Sequence, residues 1–369
     1  MKAVDTGLYI HIPFCRRKCN YCDFYSVGGS ESVPRDYIHR LTRSIKEYPG
    51  LKFDTVYFGG GTPSLLTAKQ VEDILQSVNI KESREITLEA NPDSTTFEKL
   101  SGYRKAGVNR LSFGVQTVCE KSLETLGRLH DKERAAAAFK MAKEAGFENI
   151  NGDIMLALAN YSEKEMRDTA LFLKEAGATH ISAYMLKIEP GTPFAEDIPA
   201  GLPDEEKSAD FYLAACGYLE SLGYKQYEIS NFALPGFESR HNNIYWTLGD
   251  YLGIGPAAHS CIGGRRFYFE RDIQSFIDGR PPREAGQVDA DDFIMLSLRL
   301  KSGLSLEKLY SHWGLRLPVP ALDMIKRYEK AGYLDFDGDI ISLTPKGFLV
   351  ENSIAAYIMG QAEPFTPQA

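Results

Sequence analysis

Cys15, Cys19 and Cys22 fall within eight positions of the run HIPFCRRKCNYCDFYS, residues 11 to 26, and no fourth cysteine stands nearby. Structural zinc sites are closed by four protein ligands, and iron–sulfur clusters are usually held by four thiolates, so three thiols leave one corner for another ligand. A Cys3His zinc knuckle completed by His11, or three unrelated thiols, would also satisfy this stretch alone. A second feature follows at Gly59 to Pro63, GGGTP. Three successive glycines let main-chain amides and carbonyls approach a ligand that a Cβ would keep away. The segment between them, Arg16, Arg17 and Lys18, places cations inside the cysteine loop, where they favour thiolates over thiols.

The elements that must position these residues are legible as alternating runs. GLYIHI (7–12), TVYF (55–58), ITLEA (86–90), RLSFG (110–114), NINGDI (149–154) and HISAYM (180–185) read as strands. The stretches between them read as helices. Thr67-x-x-Gln70, Thr95-x-x-Glu98 and Ser162-x-x-Glu165 are capping-box starts, and Gly107, Gly146, Gly177, Gly223 and Gly332 are C-terminal stops. Six strand–helix repeats with right-handed crossovers predict a parallel sheet curled as a partial (βα)6 barrel of the TIM type, or left open. Chemistry in such barrels sits at the C-terminal ends of the strands. There the chain carries Cys15, GGGTP, Glu89, Gln116 and Asp153 after or at the ends of strands one to five.

Residues 1–280 are expected to form the barrel. DGRPPREAGQ (278–287) reads as a linker, and residues 285–369 as a small winged-helix-like domain with a hairpin turn at Asp337-Gly338. That domain carries 8 Lys and Arg against 11 Asp and Glu, and the chain as a whole has a net charge of −8 and a pI near 5.5. Nucleic-acid binding is therefore disfavoured. The tail QAEPFTPQA reads as disordered. The start of the chain has no signal-peptide pattern and no apolar run long enough to span a bilayer, which points to the cytoplasm. Cys119, Cys216 and Cys261 are scattered, so a disulfide framework is not expected and they read as small buried apolar side chains.

The Cys-x3-Cys-x2-Cys spacing after the first strand, with GGGTP after the second, resembles the radical S-adenosylmethionine superfamily. The resemblance implies a [4Fe-4S] cluster on Cys15, Cys19 and Cys22, with S-adenosylmethionine on the fourth iron. YIHIPFCxxxCxYC, YFGGGTPSLL, LEANPD, RLSFGVQ and GDYLGIGPAAHS, spread over essentially the whole chain, are similar to the oxygen-independent coproporphyrinogen III oxidase group, which includes a haem-chaperone branch, HemW. The resemblance implies that Tyr9, Gly60 and Glu89 contact S-adenosylmethionine. It further implies that Tyr21, Gly61, Thr62, Gln116, Arg128 and Asp153 match positions that hold a second molecule of it in the oxidase.

Three features decide between branches. The oxidase pattern has a further cysteine where this chain has Phe24, and the oxidase carries an N-terminal extension where only 14 residues precede Cys15. Arg240 to Trp246 contains H-N-x-x-Y-W, a signature of the haem-chaperone branch, and places His241 as a candidate haem ligand beside two aromatics. The alternative for His241 is a structural role in packing a long loop; His11 and His259 are lesser candidates. DIMLALAN departs from the Gly-Leu-Pro ending of the group, which touches the pocket around Asp153.

The resemblance thus implies a haem chaperone, with haem passed to a haem-dependent respiratory protein, rather than an enzyme. A reduced donor such as a flavodoxin or ferredoxin is the expected redox partner, and a homodimer is left open. Arg16, Arg17 and Lys18 could serve an acidic donor or haem propionates. The rival functions are the oxidase itself and a radical enzyme acting on another substrate.

Overall fold

The computed structural model describes residues 6–364. Strands β1 (Gly7–Ile12), β2 (Phe53–Gly60), β3 (Ile80–Ala90), β4 (Arg110–Gln116), β5 (Asn149–Leu156) and β6 (His180–Met185) lie side by side in chain order, each parallel to the next. Their side chains alternate between two unlike faces. Leu8, Ile10 and Ile12, Val56 and Phe58, Leu111, Phe113 and Val115, and Ile181 and Ala183 belong to the buried apolar core, which the outer helices cover. Burying each large apolar side chain contributes ~1.5–3 kcal/mol, so this face holds the helices on. The intervening positions, among them Thr55, Tyr57, Glu89, Ser112, Asn151, Asp153 and Ser182, are polar and face inward.

The sheet continues at both ends. Beyond β6 come β7 (Lys225–Gln226) and β8 (Asn231–Ala233), with β8 antiparallel to β6. Beyond β1 lies β9 (Tyr251–Ile254), parallel to it, then antiparallel β10 (His259–Ile262), β11 (Arg265–Tyr268) and β12 (Arg283–Gln287). The twelve strands run from β12 at one edge to β7 at the other, so the barrel stays open, as the partial-barrel expectation has it.

Helix limits follow the cap chemistry. Thr67 and Gln70 make the reciprocal capping box before helix Ala68–Gln76, and Ser162 accepts from the Glu165 amide before helix Glu163–Ala176. The third start differs from the sequence reading: Thr96, not Thr95, caps helix Phe97–Ala106, accepting from the Lys99 amide. Thr95 is buried, and its hydroxyl donates to the Pro92 carbonyl instead. Gly107 at φ 113° and Gly177 at φ 84° end their helices in the left-handed conformation that disfavours other residues.

The C-terminal elements form a winged-helix-like unit. Helices Ala290–Leu298, Leu306–Trp313 and Val319–Lys330 accompany a three-stranded sheet in the order Leu304–Ser305, Ile340–Leu343, Leu334–Phe336. The hairpin turns where Asp337 Oδ1 accepts from the Asp339 and Ile340 amides. After helix Ile273–Ile277, the stretch read as a linker enters β12 of the large sheet. The tail corrects its expectation in part. The last helix continues to Gln361, and Glu363–Pro364 pairs with Leu315–Arg316 because backbone groups there find ladder partners; residues 365–369 lie outside the described residues. Among the described residues no helix is long and apolar enough to cross a membrane.

Gly152 of β5 shows how closely the helical layer sits. A Cβ there would fall 2.5 and 2.8 Å from both methyls of Leu173 and 3.2 Å from its Cγ, so rotating Leu173 cannot clear it. Gly152→Ala is expected to cost ~1–3 kcal/mol by overpacking, seen as a lower urea midpoint at unchanged slope. An unchanged midpoint would show that the helix is not seated on β5 as described.

Candidate functional site

The inner face of the sheet opens at the strand ends into a cavity of about 390 Å³, within the range of small-molecule sites. Its upper wall is the cysteine loop after β1. Cys15, Cys19 and Cys22 are all free thiols and all line it. The loop is fastened by backbone bonds in both directions: the Cys15 amide donates to the Val27 carbonyl, the Ser30 amide to the Cys15 carbonyl, and the Asn20 amide to the Leu126 carbonyl. Thr62 Oγ1 donates to Cys15 Sγ at 3.4 Å, and Arg128 Nη1 to Cys19 Sγ at 3.5 Å.

The glycine turn after β2 locks this loop to the sheet. The Gly61 amide donates to the Ile12 carbonyl and the Thr62 amide to the Phe14 carbonyl. Gly60, at φ 110°, turns its amide to Glu89 Oε2 at 3.2 Å, and Tyr57 donates to Glu89 Oε1 at 2.8 Å. Row by row across the sheet, Glu89 stands beside Ser112, Ser112 beside Asn151, and Asn151 beside His180. Asn151 Nδ2 donates to Asp153 Oδ1 at 2.6 Å, and His180 Nδ1 donates to Asn151 Oδ1 at 2.6 Å.

Burial and charge set the protonation of this wall. Burial pushes the Glu89 carboxyl up to about 7, against the Tyr57 hydrogen bond that pulls it down. Asp153 is also raised by burial, opposed by hydrogen bonds from Asn151 and Ser182 and by Arg110 and Arg128. Burial raises the Cys15 thiol and pushes Cys22 up to about 11. Bare thiols are thus disfavoured as anions here, and a bound cation would supply the missing charge and release their protons.

Of the residues singled out from sequence, Tyr21, Gly60, Gly61, Thr62, Glu89, Gln116, Arg128 and Asp153 line the same cavity as the three cysteines. Arg128 spans it, donating to Asn91 Oδ1 at 2.7 Å and the Gly114 carbonyl at 2.5 Å. Tyr9 stands behind this wall. Its ring packs on Tyr57 at 6.2 Å and its hydroxyl donates to His11 Nδ1. His11 Nε2 donates to the Tyr25 carbonyl at 2.8 Å, so both ring nitrogens are engaged and burial pulls the imidazole down to about 4.

His241 lies deeper still, with no exposed surface. Nδ1 bonds Thr55 Oγ1 and Nε2 bonds the Tyr245 hydroxyl, both at 2.6 Å, and the ring stacks on Tyr57 at 5.1 Å. Its helix, Arg240–Trp246, is capped by Ser239, which accepts from the Asn242 amide, and the buried carboxylate of Glu85 accepts from the Arg240 and His241 amides. Trp246 packs under the Arg299 guanidinium at 4.2 Å, beside the Arg299–Glu228 ion pair. The segment thus ties the barrel to the C-terminal unit and presents Asn242 to the cavity. His259 is exposed, stacked on Tyr268 at the outer strands. Arg16 is spent on Glu31 and Asp93, whereas Arg17 and Lys18 line the cavity without an ion pair among the described residues.

Sequence reasoning did not single out Tyr57, Arg110, Asn91, Ser112, Asn151, Ser182 or Asn242, which also line the cavity. The signal was the two-residue alternation of polar side chains in β4 and β5, Arg110-x-Ser112 and Asn151-x-Asp153.

The residues present fit an iron–sulfur cluster with a small chelating cofactor. Three free thiols line one cavity beside a turn whose Gly60 and Gly61 carry no side chains, and Arg128 Nε and Arg110 Nε are buried without hydrogen-bond partners. A zinc knuckle completed by His11 does not fit, because both nitrogens of that ring are taken. Among the described residues no three His, Cys, Asp or Glu side chains are gathered closely enough for a single ion.

Comparison with known proteins agrees with this geometry. Residues 9–173 match the model of the radical SAM superfamily, and residues 287–350 match that of the HemN C-terminal domain. The haem chaperone HemW of Bacillus subtilis is 34% identical, with 96% of this chain and 99% of that protein aligned. The haem chaperone HemW of Escherichia coli is 35% identical over 98% of this chain and 100% of its own length. Coproporphyrinogen III oxidase (HemN) from Escherichia coli shares the fold, with a TM-score of 0.80 at 23% identity, covering 96% of this chain and 90% of that one.

Burial pulls His241 down to about 3 from its ordinary 6.5. Below pH 6.5 the unfolded chain takes up a proton that the folded chain refuses, so this contribution is full above 6.5 and is lost as the pH falls toward 3. Glu89, raised in the fold, works with the opposite sign, and the difference between two variants isolates the histidine. The stability gap between wild type and His241→Gln is expected to shrink by ~2 kcal/mol from pH 7 to pH 5 in urea unfolding. A gap independent of pH would contradict the buried, neutral imidazole.

Proposed function

The chain belongs to the haem chaperone HemW family of the radical SAM superfamily, and from that membership and its cavity we propose that it binds haem and passes it to a haem-dependent respiratory protein. The observation that carries this reading is the end-to-end likeness to the Bacillus and Escherichia chaperones. In this reading Cys15, Cys19 and Cys22 hold a [4Fe-4S] cluster, and the chain works in the cytoplasm with a reduced flavodoxin or ferredoxin as donor. When bound, the cluster and S-adenosylmethionine supply one-electron chemistry or a redox-dependent regulatory state.

The chain's own residues have separate tasks. Gly60 and Gly61, having no side chains, leave room for a zwitterionic cofactor, and Glu89, held partly protonated near neutrality, offers both a donor and an acceptor. Arg128 fixes Asn91 and the Gly114 carbonyl and leans on Cys19, which neutralises thiolate charge. Tyr21, Gln116 and Asp153 close the remaining walls, and Tyr9 orients His11 under the cysteine loop. His241 acts as an internal post that seats its helix and aims Asn242 inward.

The test is run on anaerobically reconstituted protein in two parallel assays. Titration with haem is expected to give a saturable Soret change. Incubation with coproporphyrinogen III, S-adenosylmethionine and a reductant is expected to leave the coproporphyrinogen intact. Consumption of coproporphyrinogen without haem binding would replace this reading with the oxidase.

A further inference from the structure

The cavity has a polar floor and an apolar, exposed rim. Glu89, Arg110, Asn151, Asp153 and Ser182 line its depth, and covering them with a hydrocarbon face would strip their water without replacing their hydrogen bonds. At the mouth, three large apolar side chains lining the same cavity are left open to solvent: Phe24 is 65% exposed, Tyr184 41% and Met185 37%. Tyr184 and Met185 are the last two residues of β6, whose earlier residues are all buried. A cluster of exposed apolar groups rimmed by charge marks a binding surface. Arg17 and Lys18, on the same cavity, provide two cations without ion-pair partners among the described residues.

We propose that this rim is the haem-docking site, with the macrocycle lying across Phe24, Tyr184 and Met185, its two propionates on Arg17 and Lys18, and the Met185 thioether as an axial ligand of the iron. This rests on the haem-chaperone reading above and gives it a place and a ligand. The argument for Met185 proceeds from the donors on offer. The chain has seven histidines, and none lines the cavity. His241 is sealed behind Thr55 and Tyr245, and His259 lies on the outer strands. Met155 also lines the cavity but is only 7% exposed and is packed in a small apolar cluster with Leu126, Leu158 and Phe194. Met185 is the accessible thioether, and methionine sulfur is an established axial donor to haem iron. On docking, the Fe–S bond forms as an iron-bound water leaves, with no change of oxidation state. A weak, exposed thioether suits a carrier, because the acceptor protein's own ligand can displace it.

The experiment titrates cluster-reconstituted, reduced protein with ferrous haem under anaerobic conditions, reading affinity and visible bands. Met185→Ala is expected to lose about tenfold in affinity, on the order of one ligand's ~1.4 kcal/mol, and to change the visible bands. Met185→His is expected to restore affinity with an imidazole-type spectrum, and Arg17→Glu with Lys18→Glu to weaken binding without moving the bands. Iron and sulfide content of each variant checks that the cluster is retained. If wild type binds haem and Met185→Ala matches it in affinity and spectrum, the docking site is overturned while the chaperone reading stands. If wild type binds no haem, the chaperone reading fails and the docking site falls with it.

Discussion

No side chain can stand at position 61. A Cβ there would come within 2.9 Å of the Ile12 and Phe14 carbonyl oxygens and 3.0 Å of Cys15 Sγ. Those carbonyls accept the Gly61 and Thr62 amides, so the turn after β2 and the loop after β1 share one set of hydrogen bonds. The position of the first thiol is therefore fixed by the sheet rather than by the loop that bears it. Everything else in the site is arranged around that fastening: Thr62 reaches Cys15, Arg128 reaches Cys19 from beyond β4, and Gly60 presents its amide to Glu89.

The second constraint is a barrel interior filled with polar groups instead of hydrocarbon. Such an interior is stable only when each group finds a partner. Glu89 meets this through Tyr57 and Gly60, Ser112, Asn151 and His180 meet it through lateral hydrogen bonds, and Glu85 is satisfied by the first amides of the helix that carries His241. Arg110 and Arg128 supply positive charge beneath and beside two buried carboxylates. The price of this wet, charged core is offset on the opposite face of the same strands, where alternate residues are Leu, Ile, Val and Phe under the helices. One sheet thus separates stability from chemistry, outward and inward.

Much of this was legible in the sequence because it is local. β1 and β6 have the limits their alternation predicts, and the capping box at Thr67 and Gln70 is present as read. The cysteine spacing and the glycine turn are short motifs, and they meet in space because parallel βα repeats bring consecutive strand ends together. The sequence leaves two kinds of detail open. Two adjacent threonines left the start of helix Phe97–Ala106 ambiguous by one residue, since either could serve as a cap until the burial of Thr95 settles it. His241 shows the other kind. Its surroundings come from β2 and from Tyr245, and its amide is held by Glu85, 156 residues away in the chain. No local pattern reports that a histidine in a loop-like stretch is walled in on every side. The same holds for Arg16, which resembles its neighbours Arg17 and Lys18 in sequence but is occupied by Glu31 and Asp93.

The account turns on three thiols held open for a polynuclear centre, and its most direct test is analytical. Protein purified and reconstituted without oxygen should contain iron and sulfide in equal amounts, about four of each per chain, and replacing Cys15, Cys19 and Cys22 together by alanine should abolish both. Protein that instead carries one zinc ion per chain, or that retains its iron and sulfide in the triple variant, would contradict it.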